Sequence, residues 1–146
     1  MNLIPDDVKK NAFIYPYIQS KIVYLYYKLK YREFKNSKMK DFKYKKLPRD
    51  VFYKILAKSK AVVDVQMKNQ SGLTMRTIEA LHFEKKLITT NPAILEYEFY
   101  TDNNICVINK NHVNLPPSFF DTDFDTNYSI PKSYSLSAFV ETIIQS

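Results

Sequence analysis

A polar loop followed by a helix carries the residues best suited to chemistry in this sequence. The loop, residues 69–72, reads Asn-Gln-Ser-Gly and holds the only glycine of the chain. Ser71 and Thr74 offer hydroxyl groups, and Gly72 lets the backbone approach a ligand closely. Arg76 lies one turn into the helix, where a guanidinium can contact a diphosphate through two parallel hydrogen bonds. These residue types predict a site for a phosphorylated ligand.

Glu79 is the candidate acidic residue of the same helix. It lies two helical turns beyond Gly72, and its carboxylate could accept hydrogen bonds from ribose hydroxyls. The alternative is that Glu79 and Arg76 are solvated surface residues. Asp64 follows two valines in a predicted strand, so a structural hydrogen bond and a role in the site are equally open. From the residues alone, Gln70 and Asn91 are predicted to cap loops.

Alternating strands and helices must position these side chains. The strands and helices of this region are predicted at Ala61–Val65 (strand), Leu73–Phe83 (helix), Leu87–Thr90 (strand), Ala93–Tyr100 (helix) and Ile105–Ile108 (strand), with a closing helix at Ser135–Ile144. This order is typical of an α/β fold with a parallel sheet and helices in layers on both faces. Ligands of such sheets bind beyond the carboxyl ends of the strands, which is where residues 69–72 fall.

The first third of the chain has a different composition. Residues 1–60 contain 16 Lys and Arg against 5 Asp and Glu, whereas residues 61–146 contain 6 against 10. We therefore expect a basic, aromatic helical extension at residues 1–48 and a second domain at residues 49–146. The elements expected in the extension are a helix over Tyr17–Lys35 and a short strand at Asp41–Lys45. The second domain is expected to begin with a helix at Val51–Lys58 capped by Asp50.

One face of the first of these helices is predicted to be apolar. Ile18, Ile22, Leu25 and Leu29 recur at helical spacing. Three functions are open for the extension: packing of this stripe on the rest of the chain, adsorption to an anionic membrane, or binding of nucleic acid by interleaved Lys and Tyr. The sequence favours the first with weak membrane association. Burial of the stripe against a second copy, as a homodimer, is a further possibility.

Composition excludes several classes of site. A single glycine rules out a glycine-rich phosphate loop, and Cys106, the only cysteine, rules out an intrachain disulfide. No metal site is expected, because His82, His112 and Cys106 have no ligand spacing, and the aspartates of residues 121–125 lack the glycine and glutamate of a calcium loop. The start of the chain has no signal-peptide pattern, so we expect a cytoplasmic protein, peripheral to the inner face of a membrane at most.

Two strings in this region resemble a known family. QSGLTMRTIEAL at residues 70–81, followed by KKLITTN at residues 85–91, is similar to the C-terminal domain of GT-B glycosyltransferases. The closest resemblance is to bacterial capsular and lipopolysaccharide biosynthesis proteins, which also carry a turn like FYTDNNI at residues 99–105. The turn after the helix, residues 82–84, reads His-Phe-Glu where that family often has glycine.

The resemblance implies a Rossmann-like domain that binds a nucleotide-diphosphate sugar as donor and needs no other cofactor. The donor-binding residues that it implies are Gln70, Ser71, Gly72, Leu73, Thr74, Arg76 and Glu79. Ser71 stands where many retaining members have the first of two glutamates, so that mechanism is not implied. Because 48 residues are too few for an acceptor domain, we expect a hexosyltransferase domain completed by a partner chain, or a non-catalytic subunit.

Overall fold

The computed structural model describes most of the chain. The described residues are 10–66, 72–109, 114–128, 130, 131 and 134. The chain forms two compact units, Met1–Ile55 and Leu56–Ser146. The division predicted after residue 48 stays a prediction. Among the described residues, no helix is long and apolar enough to cross a bilayer.

The main helix of the first unit is shorter than predicted. Helix α1 covers Lys21–Lys30, and a 3-10 turn follows at Arg32–Phe34. Ser20 caps the helix, because its hydroxyl oxygen accepts a hydrogen bond from the backbone N–H of Val23 at 3.2 Å. Tyr31, in an extended conformation, ends it.

The apolar stripe predicted to pack inward is largely exposed. Ile18 is buried ahead of the helix, but Ile22, Leu25 and Leu29 are exposed, so the predicted packing of the stripe is wrong for these three residues. Tyr24 is the buried residue of α1. Aromatic rings bury more apolar area than leucine or isoleucine, and the tyrosine face of α1 therefore turns inward.

An aromatic cluster explains why the tyrosine face of α1, and not its aliphatic face, is buried. The ring of Tyr24 packs against Phe42 with centroids 5.4 Å apart, and its hydroxyl donates to the carbonyl of Ser37 at 2.8 Å. Tyr27 and Phe34 also pack together, and Phe34 stacks on Phe42. These rings come from three separate segments, so they hold α1 to the chain that follows it.

Two other predictions for this region need correction. The strand expected at Asp41–Lys45 is absent from the described residues, where a 3-10 turn at Met39–Asp41 precedes a single parallel bridge between Tyr17 and Lys43. Helix α2 covers Arg49–Lys58, so Asp50 lies in its first turn and not at its cap. A carboxylate in the first turn still interacts favourably with the helix dipole.

The second unit contains the predicted parallel sheet, which confirms an α/β fold. Strands β1 (Ala61–Asp64), β2 (Lys86–Thr89) and β3 (Ile105–Val107) lie in the order β1-β2-β3, all parallel. Helix α3 (Met75–His82) joins β1 to β2. A 3-10 helix at Pro92–Glu96 stands where a short helix over Ala93–Tyr100 was predicted. The predicted closing helix, Ser135–Ile144, lies outside the described residues.

Both faces of β2 are covered. Leu87 packs in a cluster with Ala80 and Leu81 of α3, whereas Ile88 packs in another cluster with Phe119. Adjacent residues of a strand point to opposite faces, so these clusters lie on the two sides of the sheet. Lys86 secures the second side, since its buried ammonium donates to the carbonyl of Phe119 at 2.7 Å. Burial lowers the pKa of this amine.

Candidate functional site

Asp64, Thr74 and Asn91, which the sequence singled out, lie together at one edge of the sheet. Asp64 ends β1 and Thr89 ends β2, and the two residues are partners in the parallel register. Because parallel strands run in the same direction, their carboxyl ends meet at this edge, and α3 begins beside it. We call this group of residues the polar edge; it comprises Asp64, Gly72, Thr74, Thr77, Thr89, Thr90 and Asn91.

Asp64 lies at the centre of the polar edge and has a structural role. The residue is 7 % exposed, and its carboxylate accepts hydrogen bonds from the hydroxyls of Thr74 at 2.8 Å and Thr77 at 3.0 Å. Both donors belong to the start of α3, where a negative charge is stabilised by the helix dipole. Asp64 therefore fixes the beginning of α3 to the end of β1.

Thr74 uses its hydroxyl to begin the helix. It is the N-cap of α3, with an extended backbone, and its hydroxyl oxygen accepts from the N–H of Thr77 at 3.1 Å. The hydroxyl proton is donated to Asp64. The hydroxyl predicted to meet a diphosphate is thus engaged within the protein, and a ligand at this position would meet the backbone and the more distal side chains.

Asn91 holds the loop that leads into α3. Its amide nitrogen donates to the carbonyl of Gly72 at 2.8 Å, and its amide oxygen accepts from the N–H of Ala93 at 3.1 Å. The capping role predicted for Asn91 is therefore confirmed. The side chain is 1 % exposed, so the contact fixes the position of Gly72 from inside the protein.

Gly72 is required by backbone conformation. Its φ is +75°, in the left-handed region that other residues rarely adopt, and a Cβ added there would meet nothing within 4 Å. No described residue fills the space above the backbone at Gly72. The close approach of a ligand predicted for this glycine stays a prediction.

Arg76 and Glu79 contact each other on the outer side of α3. The guanidinium Nη1 lies 3.0 Å from the Glu79 carboxylate, and the two side chains are 41 % and 24 % exposed. They are three residues apart, which places them side by side on a helix. Both predicted ligand-binding side chains are therefore in one place, and both reach solvent.

The remaining predicted donor-binding residues divide into two groups. Gln70 and Ser71 lie outside the described residues. Leu73 is half-buried and packs against the cluster that contains Leu87, so its side chain belongs to the core. Sequence reasoning missed Thr77. The available signal was its hydroxyl one turn after Thr74, on a helix that follows a strand ending in aspartate.

The turn after α3 has the geometry that glycine favours, although it contains none. Glu84 has a φ of +53°. The N–H of Glu84 bonds to the carbonyl of Leu81, and the N–H of Lys85 bonds to the carbonyl of Ala80. These two bonds define a Schellman motif, whose left-handed residue is usually glycine. Glu84 therefore occupies a glycine position in the left-handed conformation.

The residues examined for metal binding do not converge where the structure describes them. In residues 10–66, 72–109 and 114–128, no three His, Cys, Asp or Glu side chains could hold a metal ion together. His82 packs against Phe83, and Asp125 accepts from the backbone of Asn127. Burial, and secondarily Asp102, raises the pKa of Cys106, which disfavours a reactive thiolate. His112 lies outside the described residues.

The polar edge thus combines a fixed loop and a capped helix start, and α3 adds a partly exposed pair of opposite charges. Asp64 and Asn91 supply the fixed parts, and Arg76 and Glu79 supply groups that a solute can reach. No family model, curated protein or solved structure matches this chain.

Proposed function

We propose that this chain binds a nucleotide-diphosphate sugar as the donor-side domain of a glycosyltransferase in bacterial surface-polysaccharide synthesis. The observation that carries the proposal is the Arg76–Glu79 pair on α3, the helix whose start is hydrogen-bonded to Asp64 at the carboxyl end of β1. A guanidinium suits a diphosphate and a carboxylate suits ribose hydroxyls. The resemblance of residues 70–81 and 85–91 to that class of enzyme names the same two residues.

The fold supports this proposal in two respects. The clusters on the two faces of β2 are those expected if the domain is a three-layer, Rossmann-like one. In addition, the turn at Glu84 keeps the left-handed backbone for which the resembled family often uses glycine. The glutamate at this position is therefore compatible with a turn in which that family often has glycine.

The diphosphate is assigned to the start of α3. Helix N-termini attract anions through their N–H groups and dipole, and the loop of Gly72 and Leu73 leads directly into this one. Gln70 and Ser71 complete the loop in the proposal. Since the hydroxyl of Thr74 is donated to Asp64, this residue contributes by holding the helix start in place and not by direct donation.

The Arg76–Glu79 pair gives the proposal a distinctive mechanism. A diphosphate competes with Glu79 for the guanidinium, and its arrival releases the carboxylate toward the ribose. No catalytic base is assigned on this chain. Sugar transfer, of the hexosyltransferase type, then depends on an acceptor domain supplied by a partner chain; a donor-binding, non-catalytic subunit is the alternative within the same proposal.

Binding of two kinds of ligand, pyrophosphate and diphosphate sugars, distinguishes this mechanism from an ordinary surface ion pair. We expect Glu79→Gln to strengthen the binding of inorganic pyrophosphate several-fold, because Glu79 no longer competes for Arg76. The same variant should bind uridine, guanosine or cytidine diphosphate sugars about tenfold more weakly, because the contact with the ribose is lost. Arg76→Gln should weaken both ligands about tenfold. Isothermal titration with each ligand measures these constants.

Glu96→Gln is the matched control, since Glu96 is an exposed carboxylate on the 3-10 helix Pro92–Glu96. It should leave both ligands unchanged. If none of the three diphosphate sugars binds the wild-type chain, or if Glu79→Gln and Arg76→Gln bind them as the wild type does, the donor site is not here.

A further inference from the structure

The outward face of α1 is an apolar stripe that no described residue covers. Ile22 and Leu29 are 81 % and 84 % exposed, and Leu25 and Tyr26 are 53 % and 51 % exposed. At 100° per residue these four side chains cover about 100° of the helix surface, which makes one continuous stripe. We call it the α1 stripe. It lies opposite the buried tyrosine face.

Lysines border the α1 stripe on both sides. Lys21 and Lys30 lie about 40° beyond its two edges, and both are exposed. The ammonium of Lys30 contacts the hydroxyl of Tyr26 at 2.6 Å, at the margin of the stripe. The helix, KIVYLYYKLK, contains no acidic residue. Lys28, the third lysine, donates to the carbonyl of Ser37.

This pattern fits a helix that lies in the surface of a membrane. In such helices an apolar face enters the acyl boundary while lysines at its margin extend toward the lipid headgroups. The compact unit that carries α1, Met1–Ile55, has 14 basic and 5 acidic residues, a net charge of +9. Anionic lipid headgroups complement that charge.

We propose that the α1 stripe is a docking surface for an anionic lipid bilayer, on which α1 lies parallel to the membrane plane. The proposal rests on the first unit alone and does not depend on the donor site.

Two other occupants suit the α1 stripe less well. A second copy packed on the same stripe would bring the bordering lysines of both helices together without any acidic residue on α1 to pair with them. A nucleic acid would be matched by the positive charge, but Ile22, Leu25 and Leu29 are aliphatic, so Tyr26 is the one residue of the stripe with a ring on which a base can stack. Lipid satisfies both the charge and the aliphatic surface.

The absence of tryptophan from the chain allows a direct test. Leu29→Trp introduces a single tryptophan into the α1 stripe, and Leu95→Trp introduces one at an exposed leucine of the 3-10 helix Pro92–Glu96 as a matched control. With vesicles of phosphatidylcholine containing about 30 % phosphatidylglycerol, we expect the emission of Leu29→Trp to shift to shorter wavelength and to resist iodide quenching. Leu95→Trp should show neither change.

Substitutions in otherwise native protein test the contributing groups by vesicle sedimentation. Both leucines are exposed, so Leu25→Ser with Leu29→Ser should leave the unfolding temperature unchanged and lower vesicle binding at least about tenfold. Lys21→Gln with Lys30→Gln should lower binding to anionic vesicles and leave weak binding to phosphatidylcholine unaltered. Salt at about 0.5 M should reproduce the lysine result in the wild type.

Several results would overturn the proposal. One is equal emission of Leu29→Trp with and without vesicles. Another is a shift of the Leu29→Trp emission that occurs without vesicles and grows with protein concentration. If light scattering then shows a dimer that Leu29→Ser dissociates, the occupant of the stripe is a second copy. A third is protection of the tryptophan by oligonucleotides and not by vesicles, which would assign the stripe to nucleic acid.

Discussion

At the residue scale, Asp64 shows how a polar residue in a strand is accommodated. Its carboxylate is nearly buried, a position that costs free energy unless hydrogen bonds compensate. Thr74 and Thr77 provide them from the start of α3. The same contacts order the helix start on which the proposed donor site depends. Asp64 therefore serves the site indirectly, by positioning it.

We expect Asp64→Ala to lower the free energy of unfolding by about 2–3 kcal/mol, because two hydroxyls lose a charged acceptor. Asp64→Asn should lower the free energy of unfolding by a smaller amount, because an amide oxygen can still accept a hydrogen bond, although the negative charge near the helix start is lost. Urea unfolding measures both. Glu96→Ala, at an exposed carboxylate, should change the value by less than about 0.5 kcal/mol. An equally small effect of Asp64→Ala would show that the cluster does not stabilise the fold.

At the scale of elements, α3 is defined by its two ends more than by its interior. Eight residues are too few for a stable isolated helix. Thr74 caps one end, and the Schellman turn at Glu84 closes the other. Between them, Ala80 and Leu81 pack on Leu87 of β2. Helix α3 is thus held by its caps and by the sheet.

Glu84→Gly should stabilise the protein by about 1 kcal/mol. A left-handed backbone costs a residue with a Cβ about 1–2 kcal/mol, and the greater flexibility of glycine in the unfolded chain offsets part of the gain. Thermal unfolding measures the difference as a rise in midpoint. Glu98→Gly is the control, because the φ of Glu98 is not positive; it should be neutral or destabilising. If both variants lower the midpoint, the turn at Glu84 is not strained.

At the scale of the whole molecule, charge separates the two compact units. Met1–Ile55 carries a net charge of +9, whereas Leu56–Ser146 has 8 basic and 10 acidic residues, a net of −2. Helix α2 covers residues on either side of this division, and residues 44–48 ahead of it have no regular structure. The division predicted after residue 48 falls at the end of that irregular segment.

Limited trypsin digestion should distinguish the irregular segment from the helix. Lys45, Lys46, Lys54 and Lys58 are all exposed, but only the last two lie in α2. Proteases need an extended backbone, so cuts after Lys45 and Lys46 should precede cuts after Lys54 and Lys58. Mass spectrometry of early time points gives the order. In urea all four should be cut at similar rates, and early cleavage at Lys54 under native conditions would contradict a folded α2.

Local patterns in the sequence were enough to place the strands that the structure describes in the second unit. Short β-branched and apolar runs located all three strands to within one residue, because strand formation there follows from neighbouring side chains. Asn91-Pro92 marked the start of a helical turn for the same local reason. The polar edge could be expected as well, since parallel strands bring their carboxyl ends together whatever their side chains.

Only the tertiary structure decided how the side chains are used. Helix α1 has an aliphatic face and a tyrosine face, and the distant Phe42 determines that Tyr24 is buried and the α1 stripe exposed. Likewise, a threonine hydroxyl can donate its hydrogen bond to a ligand or to the protein. The hydroxyl of Thr74 donates to Asp64, because the fold places the two residues side by side. Helical spacing in the sequence predicts that a helix has an apolar face. Which partner meets it depends on residues far away in the chain, and so on the fold.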